Sequence, residues 1–403
     1  MPPSPFTART VRSIADVPAP AWDACANPPG LTCEEAGGER YNPFVSHAFL
    51  LALEQSKSVG ARTGWGTAHV IVEDRAGRIV AVAPTYLKSN SMGEYVFDHS
   101  WAQAYERMGQ SYYPKLLVAA PFTPATGRRL LVARDAPEGA RATLIGALRG
   151  LREAVGASSV HVNFACPPDA EALERAGFAR RVGEQFHFFN DNYADFDAFL
   201  AALSSRKRKT IKRERRDALG DEVEIDLLTG AAIKTTHWDS FFAFYMDTGS
   251  RKWGRPYLTR DFFARIGATM ADRVLLVMAR RKGRHIAGAI NFIGDDALYG
   301  RNWGCIEERP FLHFEVCYYQ AIEWAIRHGL KRVEAGAQGE HKIARGYRPV
   351  PTYSLHDFAD SRFDDAIRDF CAREKLAIDR MIADYEAGLP FKKRDADPEA
   401  ETE

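Results

Sequence analysis

Residues 75–87 read RAGRIVAVAPTYL and residues 281–293 read RKGRHIAGAINFI. Aligned without a gap, they share arginine, glycine, arginine and two alanines, and most other positions stay apolar in both. Each follows an apolar run, AHVIV (68–72) or VLLVMA (274–279), across a glycine-containing turn. That is how an antiparallel hairpin reads. Beyond each hairpin the same order recurs: irregular sequence, an amphipathic helical run, a short strand. In the first half these are ARATLIGALRGLREAV (140–155) and SSVHVNF (158–164); in the second, PFLHFEVCYYQAIEWAIRHGL (310–330) and KRVEAG (331–336). A repeated order of elements, and not only a repeated hairpin, argues for an internal duplication.

The length agrees. A chain of 403 residues exceeds one ordinary core and suggests two domains of roughly 150–200 residues. The break is expected near FHFFNDNYADFDAFLAAL (186–203), where a strand passes through an Asn/Asp turn into a helix capped by Asp195 or Asp197. This divides the chain into 1–193, 194–390 and a polar tail, 391–403, expected to be disordered. Two helices are predicted around 237–254 and 258–270, and a long amphipathic one over 362–388.

With 46% hydrophobic and 27% charged residues the chain reads as globular, and its 54 basic and 53 acidic residues nearly cancel. A nucleic-acid or membrane partner would have to be met by a local patch. No run approaches the ~18 apolar residues of a membrane span, and the expectation is a soluble, cytoplasmic protein. The six cysteines are scattered, without metal-ligand spacing. No metal site is expected.

The densest chemistry lies in EAGAQGEHKIARGYRPVPTYSLH (334–356), where a strand leaves the core. Amide formation needs an amine freed of its proton, a stabilised oxyanion and a proton for the leaving group. Glu340, His341 and Lys342 carry those chemistries in adjacent positions, and Gln338 adds an amide donor. An extended backbone would place Gln338, Glu340 and Lys342 opposite His341; a turn at Gly336 and Gly339 would instead free backbone N–H groups. His341 or Glu340 is the expected base, with Lys342 and Arg345 as charged anchors. Upstream, Arg301 and Trp303 end a strand, and His313 and Glu315 fall off the apolar stripe of Leu312, Val316, Tyr319, Ile322 and Ile326. Asp98, Trp101 and Tyr105 stand in a segment (97–116) read as irregular. All seven, with Arg345, are candidates for substrate binding. The run 206–216 holds eight Lys/Arg in eleven positions. On a helix, Arg206, Lys209 and Arg213 share a face suited to a donor's phosphates.

LYGRNWGC (298–305), LHFEVCYYQ (312–320), GAQGEHK (336–342) and RGYRP (345–349) together resemble the bacterial FemAB-like family, a peptidoglycan biosynthesis or recognition group of the acyl-CoA N-acyltransferase (GNAT) superfamily. NPFVSHAFL (42–50), FDHSWAQAYERMGQSYYPKL (97–116) and SSRKRKTIKRERR (204–216) extend the resemblance over nearly the whole chain. It implies an α/β fold of two tandem GNAT-like domains, each a mixed sheet flanked by helices and facing the other across a cleft. It also implies N-acyl transfer, with aminoacyl-tRNA or acyl-CoA as donor and an amine of a cell-wall precursor or peptide as acceptor, and no tightly bound cofactor. Acetyl-CoA enzymes of this fold carry a Gly-rich pyrophosphate loop before the helix; IEERPFLHFE (306–315) has no glycine, which weighs against ordinary acetyl-CoA transfer. Direct attack by the amine is expected, since no activated Ser or Cys is visible in the sequence. The rival reading is a non-catalytic module binding peptidoglycan or nucleic acid. The oligomeric state stays open.

Overall fold

A computed structural model describes residues 5–32, 40–252, 256–337 and 339–392. The first half supplies β1 (Phe6–Val11), β2 (Trp65–Thr67), β3 (His69–Asp74), β4 (Ile79–Ala83), β5 (Thr85–Lys88), β6 (Lys115–Val118), β7 (Leu131–Val132), β8 (Ser159–Ala165) and β9 (Ala179–Phe189). The second supplies β10 (Val223–Thr229), β11 (Val274–Arg281), β12 (Arg284–Ile293), β13 (Ala297–Cys305), β14 (Arg332–Glu334) and β15 (Arg348–Phe358).

The two signature stretches occupy equivalent places. β11 and β12 form an antiparallel hairpin flanked outside by β10, and β3 with β4 is flanked by β1. Each half then adds a parallel pair, β6 with β8 and β13 with β14. The duplication is real. The copies differ at one matched position. Pro84 has no N–H to donate, so the ladder breaks there; β3–β4 peels into a small sheet while β2–β5 stays in the large one. At the matching residue, Ile290, the second half has only a bulge, and its sheet stays whole.

The halves do not face each other as separate bodies. The large sheet runs β10-β11-β12-β13-β14-β9-β15-β8-β6-β5-β2. Each half's last strand has crossed over: β9 pairs with β14, β15 pairs with β8, and the two pair with one another in the middle. A cut at residue 193 divides the chain but not the sheet. The core is shared as well: Phe44 packs 5.1 Å from both Phe292 and Tyr299, and Phe49 packs 5.7 Å from Phe262.

Local signals explain most helix ends. Asp195 accepts from the Ala198 N–H and starts the helix Phe196–Ala202. Asp360 caps the long helix Ser361–Ala387, which buries Phe363, Ile367 and Cys371 at four-residue spacing and lies across β9 and β15. None of the helices among the described residues is long and apolar enough to cross a membrane. The tail beyond Lys392 and the candidate Gln338 lie outside the described residues.

Two expectations need correction. Residues 97–116 are not irregular, for His99–Arg107 is helical. The run after Pro310 is not one α-helix: Leu312–Phe314 passes into a π-helical turn, Glu315–Tyr319, before α-helix resumes at Gln320. That wider turn shifts the phase of the residues before it and rotates Glu315 into the core.

Candidate active site

The stretch after β14 turns at its glycines. Gly336 and Gly339 have φ of +82° and +121°, and a 3-10 helix, Glu340–Arg345, follows and ends at Gly346. The extended alternative is not adopted. At Gly339 an added Cβ would lie 2.6 Å from the His341 ring, so the turn needs glycine there.

His341 and Glu340 are exposed, whereas Lys342 and Arg345 are buried. His341 Nε2 lies 2.9 Å from the Tyr318 hydroxyl, with Phe314 and His313 beside it. Partial burial, and then the nearby Arg345 and Lys342 charges, push its pKa down, so the ring is neutral at neutral pH. Burial raises the Tyr318 phenol, which therefore keeps its proton. A neutral imidazole against a protonated phenol can accept one proton and deliver another.

Arg345 is not a free anchor. Its guanidinium donates to Glu214 at 3.0 and 2.9 Å and to the His341 carbonyl at 2.7 Å, and it stacks 3.4 Å above the Phe314 ring. Glu214 also accepts from Tyr319. Arg345 thus fixes the loop from beneath, because a buried guanidinium needs its carboxylate. Lys342 donates to the Gly336 carbonyl at 3.1 Å, and burial pulls its pKa down to about 8. Glu340 accepts from Tyr385 of the long helix at 2.7 Å.

Trp303 and His313 join this group, their rings 5.2 Å apart and His313 a further 5.3 Å from Tyr318. Arg301 reaches into the other half, where it donates to the Phe122 carbonyl and lies 5.8 Å from the Tyr95 ring. The remaining candidates are enclosed. Glu315 is wholly buried and holds Arg215 and Gln320. Asp98 is locked to Lys115 and Tyr112, and Trp101 and Tyr105 pack against Phe358. The helix His99–Arg107, which carries Trp101 and Tyr105 and starts after Asp98, was not foreseen in the sequence, and Glu315 is turned inward by the π-helical turn.

Arg206, Lys209 and Arg213 line an open hollow of about 620 Å³ on the outer face of the helix Ser205–Leu219. The inner face of that helix carries Glu214 and Arg215 into the network below the loop. Tyr318 and Glu214 were missed by sequence reasoning. Tyr318 sits in LHFEVCYYQ, next to the stripe residue Tyr319; Glu214 was read only as a charge among basic neighbours.

A second cavity, of about 270 Å³, opens on the face where β9 and β15 meet. Arg181, Gln185, Thr352 and Ser354 provide a polar floor, Tyr95 and Phe97 of the first half one wall, and Ala337 the edge next to the His341 loop. Gly183 keeps the floor open, for a Cβ there would lie 3.0 Å from the Thr352 hydroxyl.

A family model for FemAB-like proteins, described as peptidoglycan biosynthesis/recognition, matches residues 13–393. The chain belongs to the FemAB-like family. Among solved structures, the FemAB-like chain is similar to the crystal structure of FemX, with 12% identity over 84% of this chain and 98% of that one, at a TM-score of 0.51. It is also similar to a tandem GNAT protein from the clavulanic acid biosynthesis pathway, with 14% identity over 88% and 99% of the two chains and a TM-score of 0.45. At such identity the FemX likeness shows the fold alone. No curated protein matches the chain.

Proposed function

We propose that this FemAB-like chain is an N-acyltransferase that moves an aminoacyl group from an aminoacyl-tRNA to an amine of a peptidoglycan precursor or peptide in the cytoplasm. The observation that carries the reading is the His341–Tyr318 pair, held by Arg345 and Glu214 on a loop whose upstream residue Ala337 borders the cavity between the halves. An ammonium acceptor must lose a proton before it can attack. His341 takes it, its ring held by the Tyr318 phenol. Lys342 holds the glycine turn and adds positive field near the developing oxyanion. Arg206, Lys209 and Arg213 offer the donor's phosphates an exposed basic face. Where a CoA pyrophosphate would be cradled, Glu307 pairs with Arg281 and Phe311 occupies the left-handed region, which favours tRNA over acyl-CoA as donor.

The test is incubation with a pool of aminoacyl-tRNAs and a nucleotide-linked muropeptide, read by mass spectrometry. A mass gain of one aminoacyl residue, lost in His341→Ala, supports transfer. Tight tRNA or muropeptide binding without any product would make the chain the non-catalytic module instead.

A further inference from the structure

Ser354 lines the cavity floor, and its Oγ lies 3.0 Å from His356 Nε2. His356 Nδ1 is 2.6 Å from His161 Nδ1, and His161 Nε2 is 2.7 Å from the Ser159 hydroxyl. Ser159 Oγ in turn lies 3.1 Å from Ser158 Oγ, and Ser158 donates to the Tyr112 carbonyl. Both histidines are fully buried, and burial drives both pKa values far down, His161 to about 3. Each ring therefore carries a single N–H.

The direction of every proton follows from the last link. A carbonyl can only accept, so the one proton of Ser158 is committed to Tyr112. For every link to be a hydrogen bond, Ser159 donates to Ser158 and accepts from His161 Nε2–H. That leaves His161 Nδ1 bare, so it accepts from His356 Nδ1–H. His356 Nε2 is bare in its turn, and the Ser354 hydroxyl donates to it. Tyr112 agrees with this order: its hydroxyl donates to Asp98 at 2.7 Å and leaves its oxygen, 3.5 Å away, open to the same His161 N–H. The result is a serine at the lining of the cavity whose proton points into an unprotonated ring nitrogen, with that ring oriented by a third group.

We propose that Ser354 is an acyl-accepting nucleophile, activated by His356 and oriented through His161, at the floor of the cavity between the halves. Ser354 Oγ bonds to the carbonyl carbon of an activated ester, and its proton passes to His356 Nε2. The tetrahedral oxyanion forms beside Arg181, the cross-strand partner of Ser354, whose guanidinium also holds Glu374 and the Phe97 carbonyl. Its collapse breaks the donor's C–O bond, and the leaving alcohol takes the proton back from Nε2. The acyl group now rests on Ser354 as an ester. An amine, freed of its ammonium proton by His341, attacks that carbonyl; Nε2 carries the amine's next proton to Oγ, and the Oγ–C bond breaks, leaving an amide and the original serine. The site exists only because the strands are exchanged: Ser354 and His356 come from β15, and their partners His161 and Ser159 from β8. The choice of an ester donor rests on the acyl-transfer reading; the nucleophile itself does not.

The experiment uses the full chain and phenylmethylsulfonyl fluoride, a small serine-directed probe, with the adduct mapped by peptide mass spectrometry. One adduct per chain is expected on Ser354, absent in Ser354→Ala. It should form about 100-fold or more slowly in a His356→Asn variant with an unchanged melting profile. No adduct on the folded wild type, an adduct on another residue, or an equal rate in His356→Asn would overturn the proposal. So would full amide transfer by Ser354→Ala, which would leave the transferase reading standing. Labelling of Ser354 without any amide product would do the reverse.

Discussion

The ends of the two parallel strands, β8 in the first half and β14 in the second, stand at matched places in the duplicated fold and have opposite characters. After β8 the chain turns at once into the helix Pro167–Arg175, and its polar groups are spent on one another. Asp169 accepts from the backbone of Arg129 and Leu130 at 2.6 and 2.9 Å and from Arg141 at 3.0 Å. The Arg129 side chain donates to three backbone carbonyls. After β14 a longer loop, opened by glycines, leaves His341 and Glu340 at the surface over a buried support of Lys342, Arg345 and Glu214. One copy of the fold seals its strand end with its own polar groups, and the other leaves its strand end exposed.

Among stabilities, the largest effect should come from the sealed end. Asp169→Ala leaves two buried N–H groups and a guanidinium without their acceptor, and should cost about 3–5 kcal/mol in denaturant unfolding. A loss below about 1 kcal/mol would mean that this end is not held by its polar network. Next comes Lys342. Its pKa falls from 10.5 to about 8 in the folded chain. Between those values the unfolded chain binds the extra proton, so this residue's contribution to stability rises with pH across that window, by about 3 kcal/mol. Lys342→Met should lack the rise, and parallel curves for the two proteins from pH 8 to 10 would contradict the burial of its charge. The smallest effect belongs to the outer helix. Arg206→Glu, Lys209→Glu and Arg213→Glu together should shift stability by no more than about 0.5 kcal/mol. The triple variant should nonetheless weaken tRNA binding and flatten its salt dependence.

The duplication was legible because RAGRIVAVAPTYL and RKGRHIAGAINFI preserve a hairpin's local pattern, and hairpins are set by neighbours in the chain. The strand exchange was not, since β9 and β15 carry nothing local that says which parallel pair each will join. The same limit explains the site. Glu340, His341 and Lys342 are adjacent in sequence and could be read as a group. Tyr318 and Glu214 reach that group only through tertiary packing. Glu315 was misplaced by a π-helical turn that a regular helical period cannot anticipate, and Ser354 acquires His161 only across exchanged strands, 195 residues apart from its neighbour His356.

The most direct test of the open strand end is the rate of amide formation by His341→Ala, with Tyr318→Phe beside it, under saturating aminoacyl-tRNA and muropeptide. His341 is exposed and its loop is held from beneath, so both variants should melt with the wild type. His341→Ala is predicted to lose about 100- to 10,000-fold in kcat with little change in KM. Wild-type turnover in a folded His341→Ala protein would contradict the assignment and return the stretch after β14 to an ordinary charged loop.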